Sequence, residues 1–286
     1  MAEEASGVVY PLILNSAGLQ ANQYNNTYRY TFPAGSVQFS KSKVAVGTVN
    51  IYYSWFNIGS TYNNQSYQII FPTFAGTTTL TITMPDGYYD VSSINSYLQQ
   101  IFITNGLYLV NGSGQNVYYA EFITNQNYYG IQFNSYPVPI ALPGGYTNPG
   151  GMTFPVVAAT PQLVVQANNF TNLIGFTAGT YPTVAQNTNY SVLSSYTPQV
   201  SPVQSIILAC TLLNNRYSNP GTVLYSFTPA GATFGGIIQS QPAFPSWIDI
   251  QDGNYPNFDI QFLDQNFNPL PINDTNLVVQ LLIKKR

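Results

Sequence analysis

Residues 77–102 read TTTLTITMPDGYYDVSSINSYLQQIF and join two periodicities in one stretch. Leu80, Ile82 and Met84 alternate with Thr79, Thr81 and Thr83, so one face of an extended chain is apolar and the other polar. Thr77, Thr78 and Thr79 add β-branched side chains, which pack well on a pleated surface. Pro85-Asp86-Gly87 ends the strand, because proline lacks the donor a ladder needs and glycine permits a sharp turn. Helical spacing then takes over. Ile94, Tyr97, Leu98, Ile101 and Phe102 fall on one side of a short helix, with Asp90 at its N-cap. No other stretch shows a convincing amphipathic helix. A mostly β body is expected, with this helix covering an open edge or end of it.

Working outward, Tyr28, Tyr30 and Phe32 alternate with Arg29 and Thr31, giving a strand that stops at Pro33. Strands are expected at 37–39, 44–53 and 67–71, and a hairpin at 117–123 and 128–133. Further strands read at 163–166, 205–213, 223–227, 234–239, 247–250, around Phe258-Ile260-Phe262, and at 277–283. Runs 44–53 and 205–213 are apolar on both faces and should be buried, and 277–283 should be central. Residues 1–9 read as a flexible N-terminal arm, and 10–14 as an edge strand or a segment reaching a neighbour. Residues 135–161 are too rich in Pro and Gly for regular structure and read as a long loop or insertion, with a domain boundary there as the alternative. The expectation is all-β: a single jelly-roll β-sandwich over 1–286, with one short helix and long Pro/Gly/Asn-rich loops. An immunoglobulin-like sandwich fits less well, since its cysteine pair is missing.

Charge is scarce. Of 286 residues, 7 are Lys or Arg and 10 are Asp or Glu, so 6% are charged where about 25% is ordinary. Aromatics reach 15%, with 24 Tyr and 17 Phe, which argues against disorder. A surface of amides, hydroxyls and phenols offers little repulsion to a partner and points to extended protein–protein contact. The net charge of -3 and the scattered basic residues make duplex binding improbable. Lys284-Lys285-Arg286 form the one basic cluster and read as a solubilising end. Neither a secretory signal nor a membrane span is expected. Sequons at Asn25, Asn64, Asn111, Asn169, Asn189 and Asn273 are taken as chance in so Asn-rich a chain.

Chemistry finds little to work with. Histidine is absent, which removes the commonest general base and the usual zinc ligand. Cys210, the one cysteine, lies in an apolar run and reads as core rather than nucleophile. Gly144-Gly145 and Gly150-Gly151 lack the lysine and the context of a phosphate loop. Asp249, Asp252, Asp259, Asp264 and Asp274 could supply a carboxylate pair or a calcium loop, and Trp247 and Tyr255 could stack on sugar. Nothing in the sequence fixes these side chains on one rigid face. No catalytic, cofactor-binding or metal residue is assigned, and no enzyme activity or cofactor is expected. Asp86 and Asp90 read as turn and cap residues.

Four places carry a resemblance to a known family. They are Met84 to Tyr89 with the Ile94-Asn95-x-x-Leu98 helix; Tyr28-Arg29-Tyr30-x-Phe32 with Lys43-Val44-Ala45-Val46; Ile206 to Asn215 with Leu224-Tyr225-Ser226-Phe227; and Phe262-Leu263-Asp264 and Leu270 with 277–283. In these the chain resembles the penton, or minor capsid, proteins of virophages, Polinton-type elements and large double-stranded DNA viruses. That resemblance implies a viral structural protein with one jelly roll, five copies of which form a homopentamer at the five-fold vertex of an icosahedral shell. The implied neighbours are double jelly-roll major capsid proteins and other minor capsid proteins, with no specific nucleic acid. The implied location is the virion vertex, with assembly in host cytoplasm or a virus factory. The rival expectations are a carbohydrate-binding β-sandwich module and a non-vertex shell or attachment protein.

Overall fold

The structure is a computed structural model that describes residues 8–285, so the expected arm at 1–9 lies outside the described residues apart from Val8 and Val9. Strand accounts for 41% and helix for 9%, which makes the chain all-β. Its contacts gather in two compact units, Met1–Trp55 with Val203–Arg286, and Phe56–Pro202.

The first unit holds eight principal strands in two antiparallel sheets. One sheet runs Val9–Asn15, Val278–Lys284, Lys43–Tyr52, Ile237–Ser240, with the short Ile248–Asp249 also paired to Lys43–Tyr52. The other runs Val223–Phe227, Ile206–Cys210, Asn257–Asp264, Thr27–Thr31, with Leu19–Ala21 at its margin. Counted along the chain, the first strand pairs with the eighth, the second with the seventh, the third with the sixth and the fourth with the fifth. This nested pairing is a long hairpin rolled up on itself, the topology of a jelly roll. All eight strands of the roll fall in the first unit, and 56–202 is inserted between the third and fourth.

Burial follows the sequence pattern. All five residues of Ile206–Cys210 are buried, as expected of a run apolar on both faces. Lys43–Tyr52 and Val278–Lys284 are paired on both sides, and Val44, Val49, Ile51, Val279 and Leu281 are shielded from solvent. Gly47 is the extra residue where the register between these two strands shifts. A Cβ there would come within 2.9 Å of the Gln280 Oε1, so any larger residue at the bulge would displace that side chain. On the second sheet Tyr28 meets Phe262 edge-on at 5.9 Å between centroids.

The inserted unit builds its own core. One sheet runs Gly179–Tyr181, Gln162–Val165, Ser66–Thr73, Gly76–Thr83, and another runs Ala120–Asn125, Gly130–Ser135, Tyr190–Leu193. The helix Val91–Thr104 begins where Asp90 accepts the Ser93 amide at 2.7 Å. Ile94, Leu98 and Phe102 are completely buried, while Tyr97 and Ile101 pack at the margin of the same cluster. Asn95 Oδ1 accepts the Phe122 amide at 2.9 Å. The helix therefore covers the open edge of Ala120–Asn125, satisfying a backbone donor that the sheet leaves unpaired. After the helix, Gly106 turns at φ +67, and a Cβ there would strike the Gly150 carbonyl.

Loops in this unit are pinned by amides. Asn57 is buried, and its Nδ2 donates to the Tyr89 and Val200 carbonyls at 2.7 Å each, while its Oδ1 accepts the Tyr89 amide at 2.8 Å. One side chain thus ties together three segments far apart in sequence. Residues 136–161 carry no strand of their own; bridges pair Val138 with Ala159 and Val110 with Thr147. Some elements appear where the sequence pattern predicts none. Residues 170–179 contain a five-residue helix, Phe170–Ile174, and the polar stretch 181–202 contains Tyr190–Leu193. A helix of barely one turn shows no periodicity, and the second element is strand because Gly130–Ser135 offers it a partner.

Candidate assembly surfaces

Two edges of the first sheet of the roll expose apolar side chains. At one edge, Val9, Tyr10 and Ile13 of Val9–Asn15 are exposed, Ile13 at 59%. At the other, Ile237 of Ile237–Ser240 is exposed at 60%. The first edge is not an open template for strand addition. The Lys285 amide donates to the Val8 carbonyl and the Ser16 amide to the Leu277 carbonyl, so even-numbered residues bond inward. Val9, Pro11, Ile13 and Asn15 then face outward with their backbone groups. Pro11 has no N–H, which breaks the outward row of donors in its middle.

The inserted unit carries a groove of about 280 Å³, lined by Ile70, Pro72, Phe74, Pro155, Val156 and Val157 among others. Phe74 sits on the turn between Ser66–Thr73 and Gly76–Thr83, and Phe74, Val156 and Val157 are all at least 70% exposed. No charged residue lines the groove. The whole inserted unit has only Asp86, Asp90 and Glu121 and not one Lys or Arg. All seven basic residues and seven of the ten acidic ones lie in the other unit, so the formal charge of -3 belongs to the insert alone.

The carboxylates singled out in the sequence are engaged locally. Asp259 binds Arg29 through two bonds of 2.8 and 3.0 Å, and Asp249 lies 3.9 Å from Lys43. The Asp259 carboxylate raises the Arg29 pKa, first through the hydrogen bond and then through charge. Asp252 accepts the Lys41 amide at 2.7 Å, Asp264 closes its own turn with Asn266 and Asn268, and Asp274 does the same with Asn276. Asp86 accepts the Ser60 amide. Trp247 lies under the Lys284 ammonium at 5.8 Å, and the Tyr255 hydroxyl donates to the Gln251 carbonyl. Among the described residues no group of three His, Cys, Asp or Glu is placed to hold a metal. Burial pushes the Cys210 thiol up to about 12. No helix among the described residues is long and apolar enough to cross a membrane.

Sequence reasoning missed the groove and the one-sided charge. The charge was visible in the letters, but it takes the boundaries at 56 and 202 to see it as a property of one unit. No protein-family model and no curated protein matches the chain. Among solved structures, it is similar to the selenomethionine-labelled mavirus penton protein, with a TM-score of 0.43 and 11% identity over 96% of this chain and 99% of that one. It is also similar to a chain of the Sputnik virophage solved by cryo-EM, with a TM-score of 0.37 and 14% identity over 99% of this chain and 98% of that one.

Proposed function

We propose that this chain is a viral shell subunit, a minor capsid or penton protein whose five copies close a ring at an icosahedral vertex. The observation that carries it is the pair of opposite edges of one jelly-roll sheet, each with exposed apolar side chains and one blocked to strand addition by Pro11. Closing a ring takes a heterologous contact, in which two different faces of one subunit meet. Opposite edges of a single sheet supply two such faces, and side chains rather than backbone make the contact. The low charge of the chain supports the same role, since amides and phenols form contacts without the desolvation cost of ions. Double jelly-roll major capsid proteins and other minor capsid proteins are the partners in this proposal, the virion vertex its location, and host cytoplasm or a virus factory the place of assembly. No catalytic step belongs to it.

Native mass spectrometry over a concentration range, alone and with major capsid protein, tests the proposal. The expected species is a pentamer; a stable trimer would sink the vertex assignment. Ile13→Asp and Ile237→Asp sharpen it. Each variant alone should stay monomeric, and an equimolar mixture should stop at a dimer, because each then keeps one competent face. Dimers of either variant alone would mean a self-complementary contact and no ring.

A further inference from the structure

The sheet Ala120–Asn125, Gly130–Ser135, Tyr190–Leu193 has one face in the core of the insert, through Ala120, Phe122, Ile131 and Phe133. Its other face carries Glu121, Asn125, Gln132, Asn134 and Ser191, placed together by the register of the strands. These side chains form a directed chain of bonds. Asn125 donates to Gln132 at 2.9 Å, Gln132 to Asn134 at 2.8 Å, and Asn134 to Glu121 Oε1 at 3.1 Å. Ser191 donates to Asn134 Oδ1 at 2.8 Å, and the Tyr136 hydroxyl to Glu121 Oε1 at 2.7 Å.

The chain of bonds ends on a half-buried carboxylate with unused capacity. Both bonds to Glu121 go to Oε1, and among the described residues nothing bonds Oε2. Neither ion pair among the described residues involves Glu121, and the insert has no cation of its own. A partly desolvated carboxylate ordinarily finds a cation or several donors. Oε1 has two such donors within the chain, and a donor to Oε2 has to come from outside the described residues. Each amide in the row also keeps a donor or acceptor position not used within it, held at fixed spacing by the strands. Ile123 and Leu193 stand half-buried on the same face, and the turn joining the first two strands exposes Tyr128 and Tyr129 at more than 70%.

We propose that this face of the insert binds a neutral saccharide. A sugar presents hydroxyls that donate to the carboxylate and exchange bonds with amides, and C–H faces that rest on leucine, isoleucine and tyrosine. A phosphate, sulfate or sialic acid would meet Glu121 with no basic residue in the unit to offset it. The unused valences lie on the face of the sheet, and the edge beside the helix is already occupied by Asn95, which favours a flat ligand over an added peptide strand. The saccharide would orient through Glu121 Oε2 and stack against Tyr128 or Tyr129. This proposal stands apart from ring closure, which a mass measurement reads separately.

The test is titration of the full chain with cellohexaose, chitohexaose and mannohexaose, followed by calorimetry, alongside a sulfated hexasaccharide. At least one neutral hexasaccharide should bind. Glu121→Gln keeps an oxygen for Asn134 and Tyr136 but replaces the free one with a donor, and should weaken binding about tenfold or more. Tyr128→Ala or Tyr129→Gly should weaken it about fivefold. The melting temperature of Tyr128→Ala should match the parent, since the side chain is exposed. No binding by any neutral hexasaccharide, equal binding by Glu121→Gln, or tighter binding of the sulfated sugar would each overturn the proposal.

Discussion

Asn57 gives a stringent test of how the insert is held together. Its side chain makes three bonds of 2.7, 2.7 and 2.8 Å to the Tyr89 carbonyl, the Val200 carbonyl and the Tyr89 amide, all around a site only 4% exposed. Asn57→Ala removes all three and leaves two carbonyls and an amide without partners. A net contribution of roughly 1 kcal/mol per bond, with a further penalty for each orphaned group, gives a loss of about 3–5 kcal/mol. That is a large share of the stability of an ordinary domain, and it should lower the melting temperature by roughly 10 °C. Asn57→Asp tests the direction of the bonds. A carboxylate can accept the Tyr89 amide but repels both carbonyls, so the folded state holds the proton and its pKa rises above the unfolded value of about 3.9. The folded state then binds more protons than the unfolded one between the two pKa values, and stability falls as pH rises through that window. Below the window Asn57→Asp should lie nearest the parent. Calorimetry over pH and hydrogen exchange at the Tyr89 amide read both effects. A loss under about 1 kcal/mol for Asn57→Ala, with Tyr89 exchange unchanged, would refute the reasoning.

Pro11→Val should restore the missing outward donor on the edge strand and convert the chain into a species that grows larger with time in light scattering; unchanged size would show that proline is not what blunts the edge. Asp90→Ala should cost about 1 kcal/mol by loss of the cap on Val91–Thr104, measured by denaturant unfolding, with Asp90→Asn recovering most of it. Alkaline pH should destabilise the fold. Burial raises Cys210 from 9.0 to about 12, and burial, then the Asp274 charge, raises Tyr28 from 10.0 to about 12. Between the unfolded and folded values the native state keeps protons that the unfolded chain has lost, so stability declines from about pH 9 upward, by up to about 1.4 kcal/mol per pH unit from the fully buried thiol. Cys210→Ser should flatten part of that decline, and an unchanged slope would assign it elsewhere.

Much of the fold was legible in the letters because local pattern and tertiary burial agreed. The alternation at Leu80, Ile82 and Met84, the cap at Asp90 and the face through Ile94, Leu98 and Phe102 all recur in the structure. The strands apolar on both faces proved to be buried or doubly paired. The jelly roll itself follows from partners hundreds of residues apart, such as Val9 with Lys284, and no local pattern encodes that. Nor does it encode which strands belong to which unit: residues 56–202 read as more of the same β body, with Pro- and Gly-rich stretches throughout and no change of character at 56 or 202. The turn of the expected hairpin was displaced by two residues because Tyr129 takes the left-handed position, at φ 49, that the turn requires. The polar face around Glu121 escaped notice because its residues are ordinary strand positions until register sets them side by side.

The nested pairing of the roll also has a temporal side. Its first three principal strands have their partners in the sixth, seventh and eighth, all encoded after the insert. The insert is contiguous and can complete its own core as it leaves the ribosome. At typical rates of translation, residues 56–202 take roughly 10–30 s to synthesise. Through that interval Thr27–Thr31 and Lys43–Tyr52 wait without their long-range partners, one of them among the most apolar segments of the chain. Newly made chains are therefore most exposed to mispairing in the middle of synthesis, and the insert makes up most of the chain that must be translated before those partners appear.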